Sequence, residues 1–534
     1  MKKRSNPSLK HFESRMGLTS GGERIWFWCG FALLLAYVEA VVFFQNVYWG
    51  STSPIFLAIS ALTAVPLCFL GVCLCRKLQI TPSVQPASVR FSRLVAAGSF
   101  LLTLGVMLLA QLAFFPGSFG NDNLVQIGQV YSGSYNNWHP VLHTWLFFTL
   151  PLKLVPQPWF LVTIQLVWFS LAVSYLLYVL CTSGCPRWLL SVTWFYIVWN
   201  PNSIDLMLYP LKDSAMTIFC MVLFSQLIRI YLSRGQWLKK PLHLLLFALF
   251  SFLTMGMRHN AVLLIAPIFL FLLIFFPAVR RQAAISAAVL LALVLLWQNA
   301  VLPLANVKSP GQRAVELVGL PMTVLCDIYV TEPETMPSEV RSFMDTLAPE
   351  EAWQKYESGN FNSIKWADPA LTDKVNAKGV GSILRYTAQS ALAAPKTALK
   401  AFANLTHMVW GYEDTRGFVM GESIGSNGIG IQPQYNPALK FFFTSWRQVC
   451  NEGVLKYAFT LLGPTILLLL FLAVSQLGGG NLAAVFLVLA PMCHHFGTML
   501  LLSGQDYRFF HMHFATLIPT IYIILMNKRF GHGE

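Results

Sequence analysis

The run LVAAGSFLLTLGVMLLAQLAFF, Leu94–Phe115, is followed at once by Pro116-Gly117-Ser118-Phe119-Gly120-Asn121-Asp122-Asn123. An uncharged stretch of this length, at about 1.5 Å of helix per residue, crosses a hydrocarbon layer about 30 Å thick. Lipid offers no partner to backbone amides, so the stretch must be a helix rather than an open strand. Pro-Gly then stops it, and the polar, turn-forming residues that follow bring the chain to the membrane surface with a single carboxylate, Asp122.

Comparable runs recur on both sides, among them Ile25–Tyr48, Ile55–Cys75, Gln282–Leu304 and Tyr457–Ser475. They explain why 55% of the 534 residues are hydrophobic and only 11% charged, where soluble domains carry about 25% charge. The short alternating segments of a membrane β-barrel are not seen. The first 15 residues are polar and basic (Lys2, Lys3, Arg4, Lys10, Arg15). The apolar run after them is too long for a signal-peptide core and has no small-residue cleavage site, so it reads as an uncleaved first span.

A net charge of +14 raises a nucleic-acid partner, which its distribution excludes. Between Lys308 and Glu452 there are 13 basic and 15 acidic residues, against 24 basic and 8 acidic elsewhere. Half of those 24 gather in short loops: Arg76–Lys77, Arg90/Arg93, Arg229/Arg234/Lys239/Lys240, Arg280–Arg281 and Lys528–Arg529. Basic loops between spans mark the cytoplasmic side.

Threading the spans with the N-terminus inside gives an all-α polytopic membrane protein of about 12 transmembrane helices. Residues 1–304 form an N-terminal transmembrane module, with outer-loop helices at about 117–158. Residues 305–455 form one mixed extracytoplasmic domain, and 456–534 the last transmembrane helices. Both termini are then cytoplasmic, in the cell (plasma or inner) membrane. The apolar run Val141–Leu154 reads as a surface or re-entrant helix, because making it a span would turn the Arg229–Lys240 cluster outward. Cys181 and Cys185 lack zinc or redox spacing. Cys326 and Cys450 fall in the outer domain, where an oxidising exterior would permit a disulfide or leave two free thiols.

The informative residues are the charges that remain in the membrane part: Glu39, Asp122, Asp205, Asp213 and Asp506, with Lys153, Lys212, Arg258, Lys456 and Arg508. Each costs about 2.5–3.5 kcal/mol at a helix centre on insertion scales, so each belongs at an interface or in a polar cavity. The threading brings them all to or near the outer face. Helix-end charges reaching the headgroups would explain any one of them. They explain the set less well, since Asp122 and Asp213 have short side chains. Further on, Asn136-Asn137-Trp138-His139-Pro140-Val141-Leu142-His143 sets two histidines four apart, able to share one helix face. No Glu follows the first as a zinc-protease helix requires. Interfacial packing of His and Trp is the simpler reading.

At these residues the chain resembles the GT-C glycosyltransferases, multi-pass enzymes that use polyprenyl-phosphate sugars, with the protein O-mannosyltransferases and aminoarabinose transferases as relatives. The resemblance rests on Pro116-Gly117…Asp122…Gln126…His139-Pro140, on Lys212-Asp213-Ser214, Arg258-His259-Asn260 and Asp506-Tyr507-Arg508, and points to a little-characterised bacterial branch. It departs from members with two adjacent first-loop carboxylates, since Asp122 stands between Asn121 and Asn123. It also departs in having two spans before the one that leads into that loop. The resemblance implies an inverting transfer on the outer side, for cell-envelope glycan synthesis, with Asp122 as base. Arg258, Arg508, Lys212 and His259 would bind the donor phosphate. Gln126, Asn137, Trp138 and His139 would bind sugar or acceptor, with Asp213, Asp506 and His143 in support. The implied partners are a polyprenyl-phosphate-linked sugar, a glycan, lipid or protein acceptor, and the bilayer. No cofactor is expected, and the lone first-loop carboxylate gives little footing for a metal. Trp353, Trp366, Trp410 and Tyr412 are candidates for gripping the acceptor. Two rivals stand beside this reading: an O-antigen ligase or polymerase, which does without a first-loop carboxylate, and a transporter or flippase of lipid-linked sugars, whose polar groups would line the midplane.

Overall fold

A computed structural model describes residues 21–50, 54–78, 87–309, 314–368, 370–413, 422, 424–477 and 482–526. The expected basic N-terminal segment and the Lys528–Arg529 pair lie outside the described residues. Among those described, every regular element is helical. The only strand-like contacts are isolated bridges, Phe119–Ile424, Asn136–Lys308 and Glu357–Asn360. The domain expected to be mixed is therefore helical too.

Seven described helices are long and apolar enough to cross a membrane: Gly21–Tyr48, Pro54–Lys77, Val89–Ala113, Pro158–Thr182, Lys212–Leu232, Pro277–Leu304 and Tyr507–Leu525. Several turn large side chains outward, Leu62 at 78% exposure and Leu101 at 67%, an arrangement water would penalise and lipid does not. The chain is a helical membrane protein. Pro241–Met257, His259–Phe275 and Leu462–Leu477 are shorter apolar helices. At about 1.5 Å per residue they reach roughly 26 Å or less, under the full hydrocarbon thickness. Val141–Leu154 is shorter again and passes through a π-helical turn at Trp145–Thr149.

The Lys212–Leu232 helix is the hub. It is buried along nearly its whole length and packs against the Pro158–Thr182, Pro241–Met257 and Met512–Met526 helices. Its N-terminal end is fixed by the linker before it. Gln165 Nε2, from within the Pro158–Thr182 helix, donates to the carbonyls of Leu206, Met207 and Tyr209 at 3.2, 2.9 and 2.8 Å. Ser214 Oγ donates to the Leu206 and Tyr209 carbonyls at 2.6 and 3.1 Å. A buried carbonyl left unbonded costs about 1–3 kcal/mol, so these two side chains hold a loop that would otherwise be wet.

A second hydrophobic core, separate from the main one, gathers Val315, Met322, Leu325, Ile328, Val340, Phe361, Ile383 and Tyr386. Inside it Asp327 accepts from the Tyr356 hydroxyl at 2.9 Å and the Gly359 amide at 3.0 Å. Backbone bonds tie this layer to the bundle: Asn362 to Ser503 at 3.0 Å, Lys308 to Tyr135 at 2.9 Å and Asn137 to Lys308 at 3.1 Å. Cys326 lies in this second core and Cys450 in the main one, both as free thiols. The permitted disulfide is not made. Trp353 and Trp410 are buried at 8% and 4% exposure. They pack these cores and present no surface to an acceptor, whereas Trp366 is open.

Candidate functional site

The turn after Leu94–Phe115 is pinned to the Lys212 linker from below. The Ser118 amide donates to the Leu208 carbonyl at 3.0 Å. Asn123 Nδ2 donates to the Pro210 carbonyl at 2.7 Å, while Asn123 Oδ1 accepts the Gly120 amide at 3.2 Å. Gly120 has to be glycine: a Cβ there would run into the Tyr209 hydroxyl. Asp122 thus enters the first turn of the Asn121–Ser132 helix, where the helix dipole favours a carboxylate. It is held a few ångströms from the start of the Lys212–Leu232 helix.

Six charges meet at this end of the bundle. Lys212 Nζ stands 3.3 Å from Asp122 Oδ2 and 3.1 Å from His139 Nδ1. An ammonium only donates, so His139 Nδ1 accepts and its proton sits on Nε2. Asp213, 1% exposed, is paired with Arg258 and lies 3.7 Å from Arg508 Nε. Arg508 Nε is also 2.8 Å from Asp506 Oδ2, and its Nη1 is 4.0 Å from Asp122. The ring of Phe509 lies between the guanidiniums, 4.2 Å from Arg258 and 5.1 Å from Arg508, a contact that favours both cations. Three cations face three carboxylates. Only Asp213 is sealed; the other five keep between 15% and 34% of their side chains exposed.

Burial alone would raise the Asp122 carboxyl. Lys212 and then Arg508 outweigh it and hold the group down at about 2. Burial, helped by Lys212, lowers His139 to about 4, so its ring is neutral near pH 7. Burial also pushes Asp506 up, against the pull of Arg508.

Farther along the bundle from these charges lies an open apolar groove. Cys220, Leu223 and Leu227 line it from the Lys212 helix, Leu264 and Ile268 from the helix after Arg258, and Met512 and Thr516 from the helix after Arg508. Leu487, Ala490 and Pro491 of the Leu482–Met499 helix complete the lining, so three of its four helices begin at or just after a charged residue of the cluster.

Of the residues expected at the site, Asp122, His139, Lys212, Asp213, Arg258, Asp506 and Arg508 come together. Others belong to the scaffold. Gln126 Nε2 bonds His143 Nδ1 at 2.9 Å and Thr144 Oγ1 at 2.8 Å, all three buried. Asn137 Oδ1 accepts the Val141 amide at 3.3 Å and so starts that helix. Trp138 packs against the second core. His259 lies on the exposed side of its turn, next to Asn260, which donates to Thr498 at 3.1 Å. His139 and His143 serve different partners rather than one face.

Glu39, Lys153, Asp205 and Lys456 are not in the cluster. Glu39 sits nine residues short of the Tyr48 end of its helix, about 14 Å along the axis. Asp205 instead pairs with Arg447 at 3.4 Å. Sequence reasoning missed Asn123, Tyr209 and Phe509, although Asn123 and Phe509 adjoin residues it had singled out and Tyr209 lies three before Lys212. It also missed Glu316, whose charge reaches His139, Arg258 and Arg508 from the second core. No family model, curated protein or solved structure matches the chain.

Proposed function

We propose that the protein is an inverting glycosyltransferase that moves a sugar from a polyprenyl-phosphate donor to an acceptor on the outer side of the cell membrane. In this reading the chain crosses the membrane about 12 times, the shorter apolar helices spanning by local thinning of the bilayer and snorkelling of flanking charges. The observation that carries the reading is the joining of Asp122, Lys212, Arg258 and Arg508 at one end of the bundle, with an apolar groove farther along helices that begin beside Lys212, Arg258 and Arg508. A lipid phosphate has this bipartite chemistry, and a purely structural ion-pair network needs no groove.

The geometry supports the following roles. Lys212 and the two arginines hold the phosphate and stabilise the charge that grows on it; arginine does so through paired N–H donors. Asp213 and Asp506 keep the guanidiniums aimed. The acceptor oxygen attacks the anomeric carbon as the bond from that carbon to the phosphate oxygen breaks. The bonding pair stays on the phosphate, and the hydroxyl proton passes to Asp122. His139, with its proton on Nε2, donates to a sugar oxygen. The groove takes the first isoprene units.

The direct test is Asp122→Asn, with membrane insertion checked, assayed for transfer of labelled sugar from a polyprenyl-phosphate sugar. Loss of about 10²–10⁴-fold is expected for a positioned base. Wild-type turnover removes Asp122 from the mechanism.

A further inference from the structure

We propose that Lys212 and Arg508 are shared between the base and the donor: the lipid phosphate competes with Asp122 for these two cations, and by taking them frees Asp122 to accept the proton. The proposal rests on the transferase reading and adds an order of events to it.

The geometry distinguishes two grades of ion pair within the cluster. Arg258–Asp213 and Arg508–Asp506 are close and anchor the guanidiniums from behind. The pairs made by Asp122 are looser, 3.3 Å to Lys212 and 4.0 Å to Arg508. Asp122 is also the most exposed of the three carboxylates, at 34% against 20% for Asp506 and 1% for Asp213. An arriving anion therefore exchanges with Asp122 first, while Asp213 and Asp506 keep the arginines in place. The other partner of Lys212, His139, is a neutral acceptor, so among the described residues Asp122 is the carboxylate that holds this ammonium.

The exchange solves a chemical difficulty. Asp122 faces Lys212, Arg508, His139, Tyr209, Arg258 and Asp506. With the cations unshielded its carboxyl stays near 2, too weak a base for a hydroxyl near neutral pH. A phosphate on Lys212 and Arg508 cancels their pull, and Asp122 rises toward the range where it can hold a proton. Basicity thus appears only when a donor is seated, which restrains proton transfer without one.

The test uses the full chain carrying Asp122→Cys, in lipid nanodiscs, with alkylation of that thiol followed by peptide mass spectrometry as a function of pH. Farnesyl phosphate is the probe and farnesol its uncharged control; binding is read independently as a thermal shift. The alkylation midpoint is expected to rise by about one pH unit or more with farnesyl phosphate and not with farnesol. Lys212→Gln in the same background should raise the midpoint without any lipid and shrink the response to farnesyl phosphate. A midpoint that stays put while farnesyl phosphate binds overturns the competition and leaves the transferase reading standing. Absence of farnesyl phosphate binding overturns both.

Discussion

Asp213 and Asp205 are both 1% exposed carboxylates paired with arginine, yet they sit in opposite kinds of arrangement. Asp205 has one partner, Arg447, at 3.4 Å, and Trp199, Trp446 and Phe443 crowd the surrounding layer. Asp213 belongs to a chain in which Arg508 also reaches Asp506 and Asp122. A one-to-one pair is a fastener: remove half and a charge is stranded. A chain of shared pairs can lose or exchange a member more readily, because Arg508 reaches three carboxylates and Asp122 and Asp213 each face two cations. That property suits a place where a ligand must come and go.

The comparison can be broken by mutation. The largest effect expected is on turnover, the 10²–10⁴-fold loss in Asp122→Asn, with thermal stability little changed because Asp122 is the most exposed carboxylate of the cluster and Arg508 retains Asp213 and Asp506. Next comes Arg447→Ala, expected to lower stability by about 3 kcal/mol or more, read as the thermal midpoint in detergent. Burial already pushes the Asp205 carboxyl well up, opposed by Arg447. Without Arg447 the folded protein must keep a proton there that the unfolded chain gives up above about pH 4. Stability of this variant should therefore fall as pH rises from 6 to 8, and adding Asp205→Asn should abolish the slope. A flat profile in the single variant would show that the two pairs do not differ as argued.

Arg258→Ala is expected to weaken farnesyl phosphate binding by about ten- to a hundredfold, 1.4–2.8 kcal/mol, and to cost less stability than Arg447→Ala, since Arg508 still faces Asp213. Equal losses of stability would erase the contrast. The smallest effect concerns His139. Its folded value of about 4 lies below the ordinary 6.5, so between those limits the unfolded chain binds the extra proton and stability rises with pH. His139→Gln should flatten the midpoint between pH 4.5 and 6.5 and leave it unchanged above pH 7.

Much of this was legible in the sequence, for a simple reason. Asp122, Lys212, Asp213, Arg258 and Arg508 stand in apolar surroundings where a charge is expensive, so each announced itself, and Pro116-Gly117 marked where the chain leaves its helix. The gathering of the five could be argued only from topology. Other residues misled. Gln126 and His143 looked like ligand contacts because a buried amide bonded to a buried imidazole has the same composition as a binding site. Arg447 gave no signal, because it lies in an amphipathic helix where a basic residue is ordinary, and its partner is distant in sequence. The helical character of the layer around Tyr386 was hidden by short helices and frequent turns that read as mixed structure.

The grip of Gln165 on the linker carries a consequence for how this protein tolerates change. One amide nitrogen, remote from any reactant, sets the place where two essential helices begin. Natural variation that spares every charged residue can therefore still silence the molecule at this position. Gln165→Glu would do so most sharply, turning a donor into a fourth oxygen set against three carbonyls.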